Sequence, residues 1–255
     1  MPPSFSKAIT RPPCEEFRNG LTSAEWGPPD LELALTQHFA YKKALFDLDL
    51  EVHDLDPDSD HPDSTFVEDT AVVTPEVAVI MRPGADSRLQ EAENISPVLE
   101  RFRPVERIIP DGRIDGGDVL QADDIFYIGL SDRTDVEGAS QLSSILETHG
   151  YHCHTVRIEG CLHLKSAVNY LGNDIMIVDE RYGNLPFLDK YRLVIVPCGE
   201  SYAANSLLVN GIVLVPTGFP ETSENIEKAG LDILMLEMSE FMKMDGGLSC
   251  LSLRF

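Results

Sequence analysis

The sequence lacks any apolar run long enough to cross a membrane. Stretches such as YRLVIVP and NGIVLVP have only the length of a strand, whereas a spanning helix needs about 20 apolar residues. The N-terminal segment MPPSFSKAITRPPCEEF also lacks the apolar core of a secretory signal. We therefore expect a cytoplasmic protein with no membrane partner. The length of 255 residues and the hydrophobic fraction of 43% suit a single domain, residues 1–255.

Paired cysteines and an excess of basic residues are also missing. The five cysteines are an odd number without paired spacings, which indicates reduced thiols rather than a disulfide framework. The 43 acidic and 20 basic residues give a formal net charge of −23. Such a charge repels nucleic acid and favours the approach of a small cation. Acidity that serves solubility alone is the other interpretation, and under either one we expect no nucleic-acid partner.

The segment HGYHCHT, residues 149–155, has the composition of a metal site without its spacing. His152 and His154 would share one face of a strand, but no second pair of ligands follows at the spacing of a zinc site. The segment therefore predicts the exposed start of a strand, and we expect no metal there.

Four segments of the chain repeat a pattern of strand, tight turn and strand. They begin at Asp69, Asp118, Ser166 and Asn205, at intervals of roughly 40 to 50 residues, the length of a supersecondary unit. Turn residues such as an Asn-Gly pair separate the two strands. A helical pattern and a further apolar stretch follow each segment, so the repeating unit is β-β-α-β. The helical patterns cover residues 87–102, 135–150, 184–191 and 221–230.

A fifth unit is split between the two ends of the chain. The C-terminal CLSLRF supplies a first strand that opens at Cys250, and KAITRPP, residues 7–13, resembles the second strand of the first full unit. A helical pattern over residues 30–49 leads into the apolar stretch 50–56. Pairing of the last strand with the first leaves few exposed edges. The repeat thus predicts an α/β fold, a five-bladed α/β propeller of ββαβ units closed by its terminal strands. An open α/β sheet is the alternative.

The repeat also predicts where a functional site should lie. The first strands of propeller units run near the central axis, so the residues just before them crowd one end of that axis. Those positions hold acids, a histidine, an amide and a thiol: Glu68, Asp69, Asp115, Asp118, His163, Asn205 and Cys250.

Convergence gives these residues a chemistry that none of them indicates alone. A lone Cys250 is typical of a buried structural thiol, and His163 between two leucines is typical of a core histidine. Together, carboxylates bind a guanidinium group in a bidentate manner, and a histidine held by a carboxylate serves as a general acid and base. In IDGGDVL, one acid would orient the histidine and the other would anchor substrate or backbone. Because the protein is acidic, we expect a bound cationic substrate to ionise Cys250.

Seven motifs that follow one another along the chain resemble those of the dimethylarginine dimethylaminohydrolases, above all the bacterial ones. The motifs are FVEDTAVV, RPGADSR, IDGGDVL, YIGLSDRT, LHLKSAV, SYAANSLLVN and KMDGGLSCLSLRF. The resemblance extends from NGLTSAEWG to the last residue, and that family belongs to the guanidine-modifying superfamily of five-bladed α/β propellers. It implies a hydrolase that converts Nω-methylated arginines to citrulline and a methylamine through a covalent thiouronium intermediate, without a cofactor or a metal.

The resemblance also implies roles for individual residues. Cys250 matches the nucleophile, His163 the histidine that protonates the leaving amine and then activates water, and Asp115 the acid that orients this histidine. Some bacterial members carry Glu in place of Asp115, so the distance from this shorter side chain to His163 matters. The implied substrate-binding residues are Asp69 with Glu68 for the guanidinium, Asp63 and the main chain of Leu21 for the α-amino group, Arg88 and Arg133 for the α-carboxylate, and the carbonyl of Met244 near the guanidinium.

Two alternatives to this function stay open at the level of sequence. One is an arginine deiminase-like hydrolase of unmethylated arginine, although those enzymes usually carry an inserted helical segment for which 255 residues leave no room. The other is a protein that binds guanidinium groups without turnover. The expected partner is a small-molecule substrate, and both a monomer and a homodimer are compatible with the sequence.

Overall fold

The computed structural model describes residues 4–255, which form five separate three-stranded sheets. The strands are β1 (Lys7–Thr10), β2 (Glu51–Asp54), β3 (Ala71–Val73), β4 (Ala78–Ile80), β5 (Val105–Arg107), β6 (Val119–Ala122), β7 (Ile125–Leu130), β8 (His152–Arg157), β9 (Val168–Tyr170), β10 (Ile175–Asp179), β11 (Arg192–Val196), β12 (Leu207–Val209), β13 (Ile212–Pro216), β14 (Asp232–Leu236) and β15 (Leu253–Arg254). They pair in the orders β3-β4-β5, β6-β7-β8, β9-β10-β11, β12-β13-β14 and β15-β1-β2, which we number as the first to the fifth sheet.

Every sheet has the same internal pairing. Its first strand is antiparallel to the middle strand, and the middle strand is parallel to the last. A parallel return requires a crossover, which four α-helices supply: α1 (Leu31–Asp47), α2 (Leu89–Leu99), α3 (Val136–Thr148) and α4 (Pro220–Lys228). A short helix, α5 (Ser239–Met242), follows β14. The predicted propeller of β-β-α-β units is confirmed.

The crossover between β10 and β11 is not the α-helix that the sequence predicts for every unit. The pattern over residues 184–191 forms a 3₁₀ helix, Pro186–Lys190. Five residues allow little more than one turn, in which the tighter 3₁₀ hydrogen bonds replace the α-helical ladder.

The two ends of the chain close the ring as predicted. Ala8 and Ile9 of β1 pair with Arg254 and Leu253 of β15, so the N-terminal strand is the middle strand of the fifth sheet. The first three residues of the N-terminal segment, for which the sequence predicts no secretory signal, lie outside the described residues. Within residues 4–255, no helix is long and apolar enough to cross a membrane.

The hydrophobic core consists of five clusters, each wedged between two neighbouring sheets. Strand β10 shows how the sequence builds them. Ile175 and Ile177 belong to the cluster shared with the fourth sheet, whereas Met176 and Val178 belong to the cluster shared with the second. Because side chains alternate between the faces of a strand, a continuous apolar run serves two clusters at once.

A one-turn 3₁₀ helix ends shortly before each first strand. The five turns are Val67–Thr70, Gly116–Asp118, Leu164–Ser166, Ser201–Ala204 and Ser249–Leu251. The prediction that Cys250 opens the last strand was wrong, because it lies within the last of these turns and β15 begins at Leu253. The first strands themselves surround another cavity, the axial cavity, to which Val72, Leu120, Asn169, Leu208 and Leu253 each contribute from a different sheet.

Candidate active site

The residues before the first strands surround a second cavity, which we call the Cys250 cavity. Eight predicted site residues line it: Leu21, Asp63, Asp69, Arg88, Arg133, His163, Met244 and Cys250. The remaining two, Asp115 and Glu68, do not line this cavity.

Asp115 lies directly behind His163. Its carboxylate is fully buried, and its Oδ2 is 2.9 Å from Nε2 of the histidine ring, so the shorter acid reaches the ring without difficulty. The other acid of IDGGDVL, Asp118, is also buried and accepts a hydrogen bond at 2.9 Å from the backbone N–H of Leu164, next to His163. One acid thus orients the ring and the other anchors the backbone that carries it.

Gly117 stands where no side chain fits. A Cβ at this position would lie 2.5 Å from Nδ1 of His163 and 2.9 Å from Oδ1 of Asp69. The glycine therefore serves a close approach of backbone to ring, and its N–H donates to Asp69 Oδ1 at 2.8 Å.

His163 and Cys250 both hold their protons in the resting site. Burial opposes the charged form of His163, but the charge of Asp69 and the hydrogen bond to Asp115 outweigh it and raise the pKa of His163 to about 9. Burial, followed by the charges of Glu68 and Asp69, raises the pKa of the Cys250 thiol to about 12. At neutral pH the cavity therefore contains a neutral thiol and an imidazolium.

Arg88 is a buried cation surrounded by acceptors. It donates to Asp69 at 2.5 Å, to Glu91 at 2.9 Å and to the carbonyl of Phe66 at 2.9 Å, so most of its N–H groups are already engaged. The side chain of Arg133 is freer. Its nearest carboxylate, that of Asp115, is 3.9 Å away.

Asp63 connects the cavity to the loop that begins at Leu21. Its carboxylate accepts the N–H of Leu21 at 3.0 Å, and burial raises its pKa. Beyond Leu21, the loop is fastened to Asp245, whose Oδ2 accepts the N–H of Ser23 at 2.5 Å and the hydroxyl of Thr22 at 3.2 Å.

Glu68 is the second predicted residue that does not line the Cys250 cavity. It lines the axial cavity, with its carboxylate bonded to Lys165 at 2.6 Å and to the hydroxyl of Ser249 at 2.6 Å. Its neighbour Asp69 faces the Cys250 cavity, because adjacent residues of one turn point in different directions.

Four residues outside the predicted set of site residues also line the Cys250 cavity: Phe66, Leu162, Asp245 and Gly246. The ring of Phe66 fills the space that a side chain at Gly246 would need, since a Cβ there would lie 2.1 Å from it. In the sequence, Phe66 lies close to Glu68 and Gly246 lies close to Met244, and this proximity to predicted site residues was the signal that could have found them. Neither phenylalanine nor glycine by itself indicates a functional site.

Asp69, Asp115 and His163 present ligand atoms within 4.8 Å of one another, a set that could hold a metal ion. The two carboxylates are already bonded to Arg88 and to His163. Metal binding requires neutral imidazole, and the pKa of about 9 keeps this ring protonated at neutral pH. The arrangement suits a cationic organic group better than a metal ion.

The fold and the cavity together define a five-bladed α/β propeller that carries a thiol, a histidine and carboxylates in one cavity. The family model for arginine deiminase matches residues 60–182. N(G),N(G)-dimethylarginine dimethylaminohydrolase of Pseudomonas aeruginosa is 43% identical over 253 residues, which cover 98% of this chain and 100% of the relative. The enzyme of the same name from Streptomyces coelicolor is 36% identical over 97% of this chain and 96% of its own.

A solved structure agrees over the whole chain. A cysteine-to-serine mutant of the Pseudomonas aeruginosa enzyme in complex with citrulline superposes with a TM-score of 0.97 at 42% identity, covering 99% of this chain and 100% of the other. The chain belongs to the dimethylarginine dimethylaminohydrolase family.

Proposed function

We propose that the protein hydrolyses Nω,Nω-dimethyl-L-arginine and Nω-monomethyl-L-arginine to L-citrulline and dimethylamine or methylamine. One observation carries the proposal. One cavity brings together the thiol of Cys250, the ring of His163 held by Asp115, and the carboxylates of Asp63 and Asp69, which suit a cationic substrate. Family membership supports the same substrate class.

Asp69 would accept the guanidinium group, with the main-chain carbonyl of Met244 as a further acceptor. Asp63 and the main chain of Leu21 would hold the α-amino group, since the N–H of Leu21 is bonded to Asp63 and its carbonyl stays available. Arg133 would bind the α-carboxylate with the remaining N–H of Arg88. The guanidinium would thereby lie beside Cys250 with its charge next to the sulfur.

The bound cation would offset the acids that keep the thiol protonated, so the thiol loses its proton to solvent once substrate is present. The thiolate then attacks the guanidinium carbon. The imidazolium of His163 donates its proton to the methylated nitrogen, and the bond between that nitrogen and the carbon breaks. Dimethylamine leaves, and a thiouronium joins substrate to Cys250.

The second half of the reaction uses the same groups in reverse. Neutral His163 takes a proton from water, and the resulting hydroxide attacks the thiouronium carbon. The carbon–sulfur bond breaks, the hydroxyl proton passes to the departing thiolate, and citrulline forms. Asp115 stabilises the imidazolium at both stages.

A substrate panel with citrulline detection tests the proposal. We expect turnover of dimethylarginine and monomethylarginine and much less of arginine, because Phe66, Leu162 and Met244 give the cavity apolar surface suited to N-methyl groups. Preference for arginine would favour the deiminase-like alternative. Binding of all three without citrulline release would leave a guanidinium-binding protein.

We also propose a cytoplasmic location, for which the five free cysteines are the support. Monomer and homodimer remain alternatives, and sedimentation velocity of the purified protein distinguishes them.

A further inference from the structure

Glu68 is a buried charge that the proposed mechanism does not use. Its side chain is 4% exposed and lies at the inner end of the axial cavity. One carboxylate oxygen accepts from Lys165 at 2.6 Å and from Arg254 at 3.2 Å, and the other accepts from the hydroxyl of Ser249 at 2.6 Å. Two cations offset its charge, and within residues 4–255 its one hydroxyl partner is Ser249, the residue before Cys250.

Every polar atom of Ser249 takes part in a hydrogen bond. Its N–H donates to Asn205 Oδ1 at 2.9 Å, and its carbonyl accepts from Arg254 Nη1 at 3.1 Å. Its hydroxyl, bonded to Glu68, also accepts from Asn205 Nδ2 at 3.0 Å. Three side chains therefore fix one residue: Glu68 and Asn205 from the segments before β3 and β12, and Arg254 from β15.

The sulfur of Cys250 has no comparable support. Its one hydrogen bond within residues 4–255 is from the N–H of Gly247 at 3.3 Å. The position of the sulfur consequently depends on the backbone of the turn Ser249–Leu251, and Ser249 is where that turn is fastened.

We infer that Glu68 is a positioning residue that acts on the reaction through Ser249, fixing the turn that carries Cys250, rather than a ligand of the substrate guanidinium. The inference rests on the proposed function in one respect, that Cys250 is the nucleophile. Reaction rates depend steeply on such placement, because an error of about 1 Å can cost about 10²-fold.

Glu68→Gln and Ser249→Ala, singly and together, test this inference. Glutamine keeps the shape of Glu68 but weakens its bonds to Ser249 and the two cations, and alanine removes the hydroxyl alone. We expect each single variant to lower kcat by about 10-fold to 10²-fold, with KM within about threefold of wild type. Because both changes break one hydrogen bond, the double variant should be little worse than either single variant.

Asp179→Asn is the matched control. Asp179 is another buried carboxylate with a cationic partner, Arg181 at 2.7 Å, but it lines neither cavity. Its variant should keep wild-type kcat and KM. If Glu68→Gln fails to fold, Ser249→Ala carries the test, since it leaves Glu68 and its cations in place.

Two results would overturn the inference. Glu68→Gln could raise KM and weaken citrulline binding more than tenfold, additively with Ser249→Ala, which would make Glu68 a substrate ligand. Wild-type kcat in both single variants would remove the positioning role. Failure of the proposed function looks different, because the wild-type protein itself would then release no citrulline.

Discussion

The thiol of Cys250 rests in surroundings that keep it protonated. Burial and the negative charges of Glu68 and Asp69 raise its pKa to about 12, while alkylating agents react with the thiolate. We expect the rate constant for inactivation by iodoacetamide to keep rising with pH through pH 10 without a plateau. Cys250→Ser, which should also abolish turnover, reports the labelling of the other four cysteines. A plateau below pH 8 would show that the thiolate exists without substrate.

The proton on His163 depends on the acid behind it. Despite burial, the charge of Asp69 and the hydrogen bond to Asp115 raise the pKa of His163 to about 9. The ring must be protonated to donate to the leaving amine, so kcat of the wild-type enzyme should fall as pH rises through the pKa of the ring in the substrate complex. Asp115→Asn weakens the hold on the proton and should move this alkaline limb to lower pH. The kcat–pH profile measures the shift.

The control for this profile is Asp179→Asn, which should leave the alkaline limb where it is. If the fall of kcat at alkaline pH is also unchanged in Asp115→Asn, His163 is not the general acid that protonates the leaving amine.

The raised pKa of His163 also affects the stability of the fold. Because the folded-state pKa of about 9 lies above the ordinary value of 6.5, the imidazolium stabilises the fold fully below about pH 6.5, and this contribution is lost as pH rises through about 9.

At the scale of elements, the sequence predicts the strands better than the turns between them. Turn chemistry and apolar residues specify where β9 and β10 form, since every residue of Val168–Tyr170 and Ile175–Asp179 is buried and most of them are apolar. The turn Ser249–Leu251 leaves no periodic signal in three residues. The direction of Glu68 is set by Lys165, Arg254 and Ser249, which are distant in sequence. Local pattern therefore found which residues converge but not which cavity each one faces.

The loop after Leu21 is the element most suited to open and close over the Cys250 cavity. It is exposed, and the carboxylate of Asp245 fastens it through Ser23 and Thr22. Asp245 has φ +57°, a conformation that glycine adopts without strain. Asp245→Gly should therefore free the loop without disturbing the turn, and we expect KM to rise about tenfold as these hydrogen bonds are lost.

Trp26, the only tryptophan of the chain, lies close to this loop and is 67% exposed. Citrulline binding should reduce acrylamide quenching of its fluorescence in the wild type, and this reduction should be smaller in Asp245→Gly. Ser23→Ala, which removes one hydroxyl and keeps the carboxylate, should lie between the two. A raised KM with wild-type protection of Trp26 would instead indicate that Asp245 contacts the substrate.

At the scale of the whole molecule, closure and catalysis share one segment. The last residues complete the fifth sheet, contribute to the clusters on both of its sides, and follow the turn that carries Cys250. The repeat in the sequence predicts this closure because pairing the two terminal fragments completes a fifth unit like the other four. Opening the fifth sheet should thus expose two of the five core clusters and displace the nucleophile in the same event.

Phe255→Ala tests this coupling. The ring is 8% exposed and packs against Phe102 at a centroid distance of 5.4 Å, while the backbone of Phe255 bonds to Lys7. Loss of a buried phenylalanine ring costs about 3 kcal/mol or more, so the urea midpoint should fall. Phe46→Ala, at a ring that is 70% exposed, should change the urea midpoint little.

Because the C-terminal segment serves closure and catalysis together, enzymatic activity and the circular dichroism signal should be lost at the same urea concentration in the wild type. In Phe255→Ala both should be lost together at a lower concentration. Activity lost well before the circular dichroism signal would mean that the nucleophile-bearing end detaches while the other four sheets stay folded, and the ring would then not unfold as one unit.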